Sequence, residues 1–333
     1  MPNKEKPSKI SAPFKFINKW RSLPSYELIC YILMYASIPM FAYGIKPYNF
    51  EIIKIVILTT LTMYSSFFAV LIWNDVTDAD IDAIAHPDRP IPSGRINSKK
   101  FFMIALFFSA LTFIFAYLIS IWCLFIVCIA ALYVTFHNKY FKRNVKLPAY
   151  SEIFGPIQWV VVIIFGFFTI WTSYPQSSDI MFSLPIFGHI STNIQAVEQM
   201  ILLIFFMYFA DSSHDVAEGI HDSYADNLHG VKTYATTFGI KNAARISLLL
   251  FIISGMFGII IFLRSALSLL FLVFFLFIFI YTLFYPIKLV KSKKGEIEDL
   301  GLLVGRKLYD YFLFSFGIIF LDLLIQLFIK FNW

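Results

Sequence analysis

Nine separate stretches of this chain are apolar and long enough to cross a bilayer, and that number is incompatible with a soluble fold. A hydrocarbon core about 30 Å thick takes roughly 20 residues of helix. Such stretches lie near residues 26–44, 50–73, 101–119, 121–137, 153–171, 194–213, 244–263, 266–287 and 310–330. The run 101–136 is too long for one span, and Ser120 is its natural break; the run 244–287 divides likewise at Arg264–Ser265. Inside a bilayer each segment must satisfy its own backbone polar groups, so these spans are helices. The 333 residues are 59% hydrophobic and 14% charged, whereas soluble domains are about a quarter charged. Cys30, Cys123 and Cys128 all fall inside apolar runs, where they read as small hydrophobes and not as a disulfide framework. The expected fold is an all-α membrane protein with nine transmembrane helices over residues 25–331, preceded by a basic tail over 1–24.

Loop charge sets the orientation. Lys and Arg concentrate on the cytoplasmic side of membrane proteins. The segment before the first span carries six (Lys4, Lys6, Lys9, Lys15, Lys19 and Arg21), and the loops after spans two, four, six and eight carry four, four, three and six. Only Lys46, Lys54, Arg264 and Lys330 belong to the other side or to helix ends near it. The N-terminus and every even loop are therefore expected in the cytoplasm. The polar, basic start followed by a full-length span is not the pattern of a cleavable signal peptide. Because the basic residues flank spans and form no single patch, the net charge of +6 points to lipid headgroups and not to nucleic acid.

Most acidic residues fall in two clusters, each following a span of the same orientation. The first is Trp73-Asn74-Asp75-Val76-Thr77-Asp78-Ala79-Asp80-Ile81-Asp82. Asp75, Asp78 and Asp82 share one face of a continuing helix, with Asn74 beside them, while Asp80 and Asp88 fall off that face as ordinary loop charges. The second cluster, Asp211, Asp215, Glu218, Asp222 and Asp226, advances in steps of 4, 3, 4 and 4 and makes one acidic stripe along a helix. Like charges at these spacings repel, and an acid near the membrane core costs about 2.5–3.5 kcal/mol on insertion scales. A hard divalent cation bound by carboxylate oxygens offsets that cost.

Basic residues accompany both clusters. His86-Pro87-Asp88-Arg89-Pro90-Ile91-Pro92-Ser93-Gly94-Arg95 follows the first and His229-Gly230-Val231-Lys232-Thr233 the second, with Asn138-Lys139-Tyr140-Phe141-Lys142-Arg143 on the even loop between them. Carboxylates holding Mg²⁺ with Arg and Lys around them are equipment for a diphosphate. Lys139, Lys142 and Arg143 fit that role or simple positive-inside charge equally well, whereas the prolines around Arg89 hold its loop in a set shape. The pairs Asp78/Asp82 and Asp222/Asp226 lie 144 residues and four spans apart, as a parallel repeat would place them. His86, His214, His221 and His229 show no tight zinc-ligand spacing, and the oxygen-rich surroundings favour Mg²⁺. Tyr133, Tyr140 and Tyr208 fit either a cavity wall or an interfacial belt. A cation transporter is disfavoured, because both clusters gather at one mouth and do not run along a pore.

Asn74-Asp75-x-x-Asp78-x-x-x-Asp82, continuing to Arg89-Pro90-Ile91-Pro92-Ser93-Gly94-Arg95, closely resembles the first signature of the UbiA superfamily of intramembrane prenyltransferases. Gly219-Ile220-His221-Asp222-x-x-x-Asp226-x-x-x-Gly230-Val231-Lys232-Thr233 is similar to the second. The resemblance implies a helical bundle around a central cavity open to the lipid, with a cytoplasmic cap made by the two motif loops. It also implies Mg²⁺-dependent transfer of a polyprenyl group from its allylic diphosphate to a small lipophilic or aromatic acceptor. Carried over residue by residue, Asn74, Asp75, Asp78, Asp82, Asp222 and Asp226 are the Mg²⁺ ligands, and Arg89, Lys142 and Lys232 contact the diphosphate. Asp78 and Asp222 thereby drive ionisation.

Asp211, Asp215 and Glu218 extend the second motif inward by about two turns. Asp215 is the residue we assign to the proton lost after alkylation; a polar-acceptor contact and a water-facing helix end are the other readings of this trio. The stretch Asn144–Pro156 lacks the pattern expected of hydroxybenzoate, naphthoate or haem-type members. A terpene cyclase of the same superfamily, which ionises the diphosphate and quenches the cation internally, is the alternative activity.

Overall fold

A computed structural model describes residues 25–174, 179–293 and 295–331; the expected basic tail over 1–24 lies outside the described residues. Nine membrane-length helices run through the described residues. They are α1 (Ser25–Tyr43), α2 (Phe50–Thr77), α3 (Ser98–Ile119), α4 (Ile121–Phe136), α5 (Ile157–Ser173), α6 (Ile194–Leu228), α7 (Ile240–Arg264), α8 (Leu269–Lys291) and α9 (Ile297–Phe331). Both expected interruptions are present. Ser120 closes α3 and caps α4, its hydroxyl accepting the Cys123 N–H at 3.1 Å, and Arg264 ends α7. Asn49, Asn193 and Ser268 cap α2, α6 and α8 in the same way. Side-chain caps satisfy backbone donors that a helix end leaves unpaired.

The helices differ in length, and the difference matters. At 35 residues each, α6 and α9 are about 52 Å long, well beyond the hydrocarbon core. α6 therefore leaves the membrane region as an unbroken rod and takes the acidic stripe with it. α9 packs along α6 and α1, α7 packs on α6, and α3 lies against α2. The shared core is aromatic: Tyr31 and Tyr35 of α1, Phe206 of α6, Phe275 of α8 and Tyr311 and Phe316 of α9 are almost wholly buried.

Three local features depart from straight spans. α2 ends at Thr77 and the chain resumes as a short helix over Ala79–Ala85, with Asp78 at the joint. The ladder still crosses it: the Asp78 N–H donates to Asn74 O and the Asp82 N–H to Asp78 O, both at 2.8 Å. The end of α4 widens into a π-helical turn over His137–Phe141, then a last turn at Lys142–Asn144. Before α5, a one-turn helix over Tyr150–Phe154 breaks at Gly155-Pro156. Between α5 and α6, where the sequence reading places only a loop, an antiparallel hairpin forms: β1 (Ile180–Leu184) pairs with β2 (Gly188–Thr192) in register Ile180↔Thr192.

α7 and α8 approach closely because Gly255 and Gly258 present no side chain to the rings of Phe279 and Phe275. A Cβ at Gly258 would lie 2.0 Å from Phe275 Cζ, and Phe275 is itself fully buried and stacked on Phe271 and Phe279. The ring has nowhere to go. Gly258→Val is expected to cost about 1–3 kcal/mol by overpacking, seen as a lowered thermal unfolding midpoint in detergent; Gly94→Ala, facing open space, loses about 1–2 kcal/mol through its positive φ alone.

Candidate active site

The first acidic motif is buried and tied to cations from two other segments. Asp75, Asp78 and Asp82 are each less than a tenth exposed. Arg89 Nη1 donates to Asp82 Oδ1 at 2.5 Å. Burial pulls the Arg89 guanidinium down, but the Asp82 carboxylate beside it outweighs this and holds it above its ordinary value. Lys142 Nζ donates to Asp78 Oδ2 at 2.8 Å. Arg143 clamps the half-exposed Asp80 through both amino nitrogens, at 2.6 and 2.7 Å. Those hydrogen bonds lower the Asp80 carboxyl to about 2 despite partial desolvation. Widening of the α4 end into a π turn brings Lys142 and Arg143 together at the end of α2. Asn138 in that turn donates to the Asn74 side-chain oxygen.

The second motif faces the first across this mouth. His86, in the loop after the first motif, has Nε2 3.2 Å from Asp222 Oδ1. Asp226 is buried, and Lys142 lies close enough to act on its charge. One α4-end lysine thus serves a carboxylate of each motif. Asp82 Oδ2 is a buried oxygen that accepts no hydrogen bond, Asp78 Oδ1 has only Arg143 at 3.7 Å, and Asp222 Oδ1 has only His86 beside it. Orphaned carboxylate oxygens of this kind are the donors a hard divalent cation requires, so the residues present fit Mg²⁺.

One to two turns deeper along α6 lies a second polar group. The His214 ring is ringed by three carboxylates: Nδ1 is 3.4 Å from Asp211 Oδ1 and 3.3 Å from Asp215 Oδ1, and Nε2 is 3.4 Å from Glu218 Oε2. Tyr309 of α9 packs on that ring at 4.5 Å between centroids, and its hydroxyl meets Tyr31. These groups line the polar end of a cavity of about 780 Å³, within the usual size of a ligand pocket. Asn74, His86 and Arg89 border the same end, while Phe67, Val127, Val162 and Phe165 line the apolar remainder. Glu27 and Arg306, paired across α1 and α9, complete its wall.

Residues 33–299 match the model of the UbiA prenyltransferase family. The chain belongs to the UbiA prenyltransferase family. Among curated relatives, a digeranylgeranylglyceryl phosphate synthase of Saccharolobus solfataricus is 29% identical over 182 residues, 54% of this chain and 55% of that protein. The match therefore spans about half the length of the curated relative. Solved UbiA folds align far more completely. A UbiA homologue from Aeropyrum pernix superimposes with a TM-score of 0.63 at 18% identity, covering 87% of this chain and 98% of the other. A homologue from Archaeoglobus fulgidus, described with geranyl diphosphate (GPP) and Mg²⁺ bound, gives 0.53 at 17% identity over 92% and 99%.

Within this UbiA fold, the expected residues fall into groups. Asn74, Asp78, Asp82, Arg89, Lys142, Asp222 and Asp226 are linked by the contacts above, and Asp215 lies with His214 on the cavity wall. Lys232 is held to the other segments by its backbone, its carbonyl accepting the Ser151 N–H at 3.0 Å. Lys139 is exposed and rests over Tyr140, as positive-inside charge would. Of the three tyrosines, Tyr133 lines the cavity, Tyr208 donates to the Ile153 carbonyl at 3.0 Å, and Tyr140 is exposed. The histidines, which showed no ligand spacing along the chain, do converge with acids in space: His86 with Glu218 and Asp222, and His214 with Asp211 and Asp215.

Glu152 escaped the sequence reading altogether. It is buried on the one-turn helix before α5, accepts the Tyr234 N–H through Oε2, and its Oε1 abuts Gly219 of the second motif. A Cβ at Gly219 would lie 2.3 Å from that oxygen. Gly219→Ala is therefore expected to destabilise the protein by about 1–3 kcal/mol. Adding Glu152→Ala should recover at least half of the Gly219→Ala loss, relative to Glu152→Ala alone. A double-mutant cycle of thermal unfolding in detergent reads that coupling, and simple additivity would refute the contact.

Proposed function

We propose that this protein transfers a polyprenyl group from an allylic diphosphate to a lipid acceptor, releasing diphosphate, with Mg²⁺ as cofactor. The observation that carries the reading is the meeting of two carboxylate motifs with Lys142 and Arg89 at the polar end of an apolar cavity. Asn74, Asp75, Asp78, Asp82, Asp222 and Asp226 would hold the metal, which supplies charge neutralisation on the departing oxygens. Arg89 and Lys142, already aimed at this site, then bind diphosphate oxygens, with Lys232 as the remaining candidate contact. The apolar wall takes the prenyl chain and keeps water from the cation that forms as the allylic C–O bond breaks.

An acceptor hydroxyl that attacks this carbon must lose its proton. Asp215 takes it in this reading, with His214 positioned against the carboxylate by three acidic neighbours. The polar inner cluster favours transfer over cyclisation, because it can hold the polar end of an acceptor beside the reacting carbon, whereas a cyclising chain asks only for a base that takes its last proton. The curated relative is a digeranylgeranylglyceryl phosphate synthase, so a glyceryl phosphate lipid stands ahead of an aromatic ring as acceptor; Arg95 and Arg306 also line the cavity and offer charge to an anionic headgroup. The loop-charge bias supports a cytoplasmic side for this mouth and the N-terminal tail. Residues 25–331 form one prenyltransferase domain.

The test uses purified protein in lipid with Mg²⁺ and C10, C15 or C20 allylic diphosphates. Diphosphate release that requires a glyceryl phosphate lipid, with an ether product of matching mass, is the expected result. A hydrocarbon formed without any acceptor would assign a cyclase instead. Asp78→Ala and Asp222→Ala should each reduce turnover by at least about 10²-fold, the scale of losing one element of transition-state charge stabilisation. Asp222→Ala should unfold within a few degrees of the parent, whereas Asp78→Ala also takes the partner of Lys142 and lowers the unfolding midpoint; full activity in both would overturn the metal assignment.

A further inference from the structure

The His86 side chain reaches across the mouth to the second motif, and its backbone is held by two hydrogen bonds. Its N–H donates to Asp82 O at 2.8 Å and its carbonyl accepts from Arg89 at 2.9 Å. The residue thus closes the short helix of the first motif and opens the proline-rich loop. Its imidazole is only about one-seventh exposed. Nε2 lies 3.2 Å from Asp222 Oδ1, and His86, Glu218 and Asp222 each offer one ligand atom within 4.8 Å of the others. Two ligands at about 2.1–2.2 Å from one ion, at right angles to one another, are about 3 Å apart. The His86–Asp222 separation meets that condition as it stands. Asp222 faces His86 Nε2 with both oxygens, Oδ1 at 3.2 Å and Oδ2 at 3.4 Å, a direct contact that an ion bound between them would replace.

We propose that His86 is a metal ligand, and that with Glu218 and Asp222 it forms a mixed nitrogen–oxygen site for a divalent ion. This rests on the metal-dependent reading above and deepens it. The first motif, around Asp78 and Asp82, offers oxygen donors and suits Mg²⁺. The His86 site differs in kind, because an imidazole nitrogen raises affinity for first-row transition ions above that for Mg²⁺, in the order Co²⁺ above Mn²⁺. Asp222 belongs to the metal set given above, so His86 adds a nitrogen ligand to the second-motif end of that set. It also follows that His86 links the motifs physically: a ligand from the first-motif loop and two from α6 close on one ion.

Mn²⁺ with inorganic diphosphate, added to the purified full-length protein in detergent, is the probe. Pulsed electron paramagnetic resonance of bound Mn²⁺ reads a directly coordinated ¹⁴N as a modulation of the echo. The expected result is one ¹⁴N coupling in the parent protein, lost in His86→Ala and kept in His221→Ala, whose ring lies 6.0 Å from that of His86. Mn²⁺ affinity should fall about tenfold or more in His86→Ala, with Mg²⁺ affinity at the first motif changed less than threefold. Mn²⁺ bound without ¹⁴N coupling, coupling that survives His86→Ala, or no Mn²⁺ bound at all would each overturn the proposal. Mg²⁺-dependent diphosphate release, measured on the same preparation, distinguishes that failure from failure of the prenyltransferase reading. Unchanged thermal unfolding of His86→Ala shows that the loss is not one of folding.

Discussion

Everything at the working end of this protein follows from the cost of holding many carboxylates together at a membrane boundary. Each acid near the hydrocarbon costs about 2.5–3.5 kcal/mol on insertion scales, and neighbours on one helix face repel as well. The fold answers with cations supplied from elsewhere in the chain. Arg89 reaches Asp82, Lys142 reaches Asp78, and Arg143 holds Asp80. None of these partners is a neighbour in sequence of the acid it serves, apart from Arg89 seven residues on. The pairing is therefore a product of the tertiary fold, and conversely the fold near the mouth depends on the pairing. Breaking one partner away leaves a buried charge uncompensated, which is costlier than the intact pair is favourable.

That requirement accounts for the irregular pieces of an otherwise plain bundle. A straight α4 would continue its rotation through Lys142 without adjustment; the π turn over His137–Phe141 adds the offset that brings Lys142 and Arg143 to the end of α2. Such turns concentrate at functional sites for this reason. The joint at Asp78 lets Asp82 stay close to Arg89 while the following loop turns back over the mouth. The long α6 carries Asp211 through Asp226 on one rod, so inner cluster and outer motif are fixed relative to each other by helix geometry alone.

The spans, their breaks at Ser120 and Arg264, and both acidic faces were legible because they depend on local period and composition. The sequence reading placed the α6 stripe correctly since five acids at steps of 3 and 4 have only one helical interpretation. What escaped it depends on contacts between distant segments. Glu152 looks like a lone loop acid until Gly219 leaves room for it. Glu27 and Arg306 lie 279 positions apart, and nothing local announces that α1 and α9 are neighbours. The histidines illustrate the same limit: ligand spacing along the chain fails for His86 because its partners, Glu218 and Asp222, come from another helix. The hairpin over 180–192 was missed for a different reason. Its strands are five residues each, too short for a periodic signal to stand out between two apolar spans.

Charge balance also shapes how the mouth can work. Lys142 donates to Asp78 and acts on the charge of Asp226, so one ammonium offsets both motifs. On the proposed reading, Asp78, Asp82, Asp222 and Asp226 would hold the metal and Lys142 would bind diphosphate oxygens. Lys142 can then turn from carboxylate to phosphate oxygen without leaving either charge unpaired. A mouth lined with acids alone would repel the diphosphate when empty, and one lined with bases alone would hold it after the reaction. Interleaving the two avoids both, and it requires that the basic residues come from segments able to shift by a rotamer while the acids stay on rigid helices. Lys142 at the end of a π turn and Asp222 and Asp226 on an unbroken 35-residue helix have that division of roles.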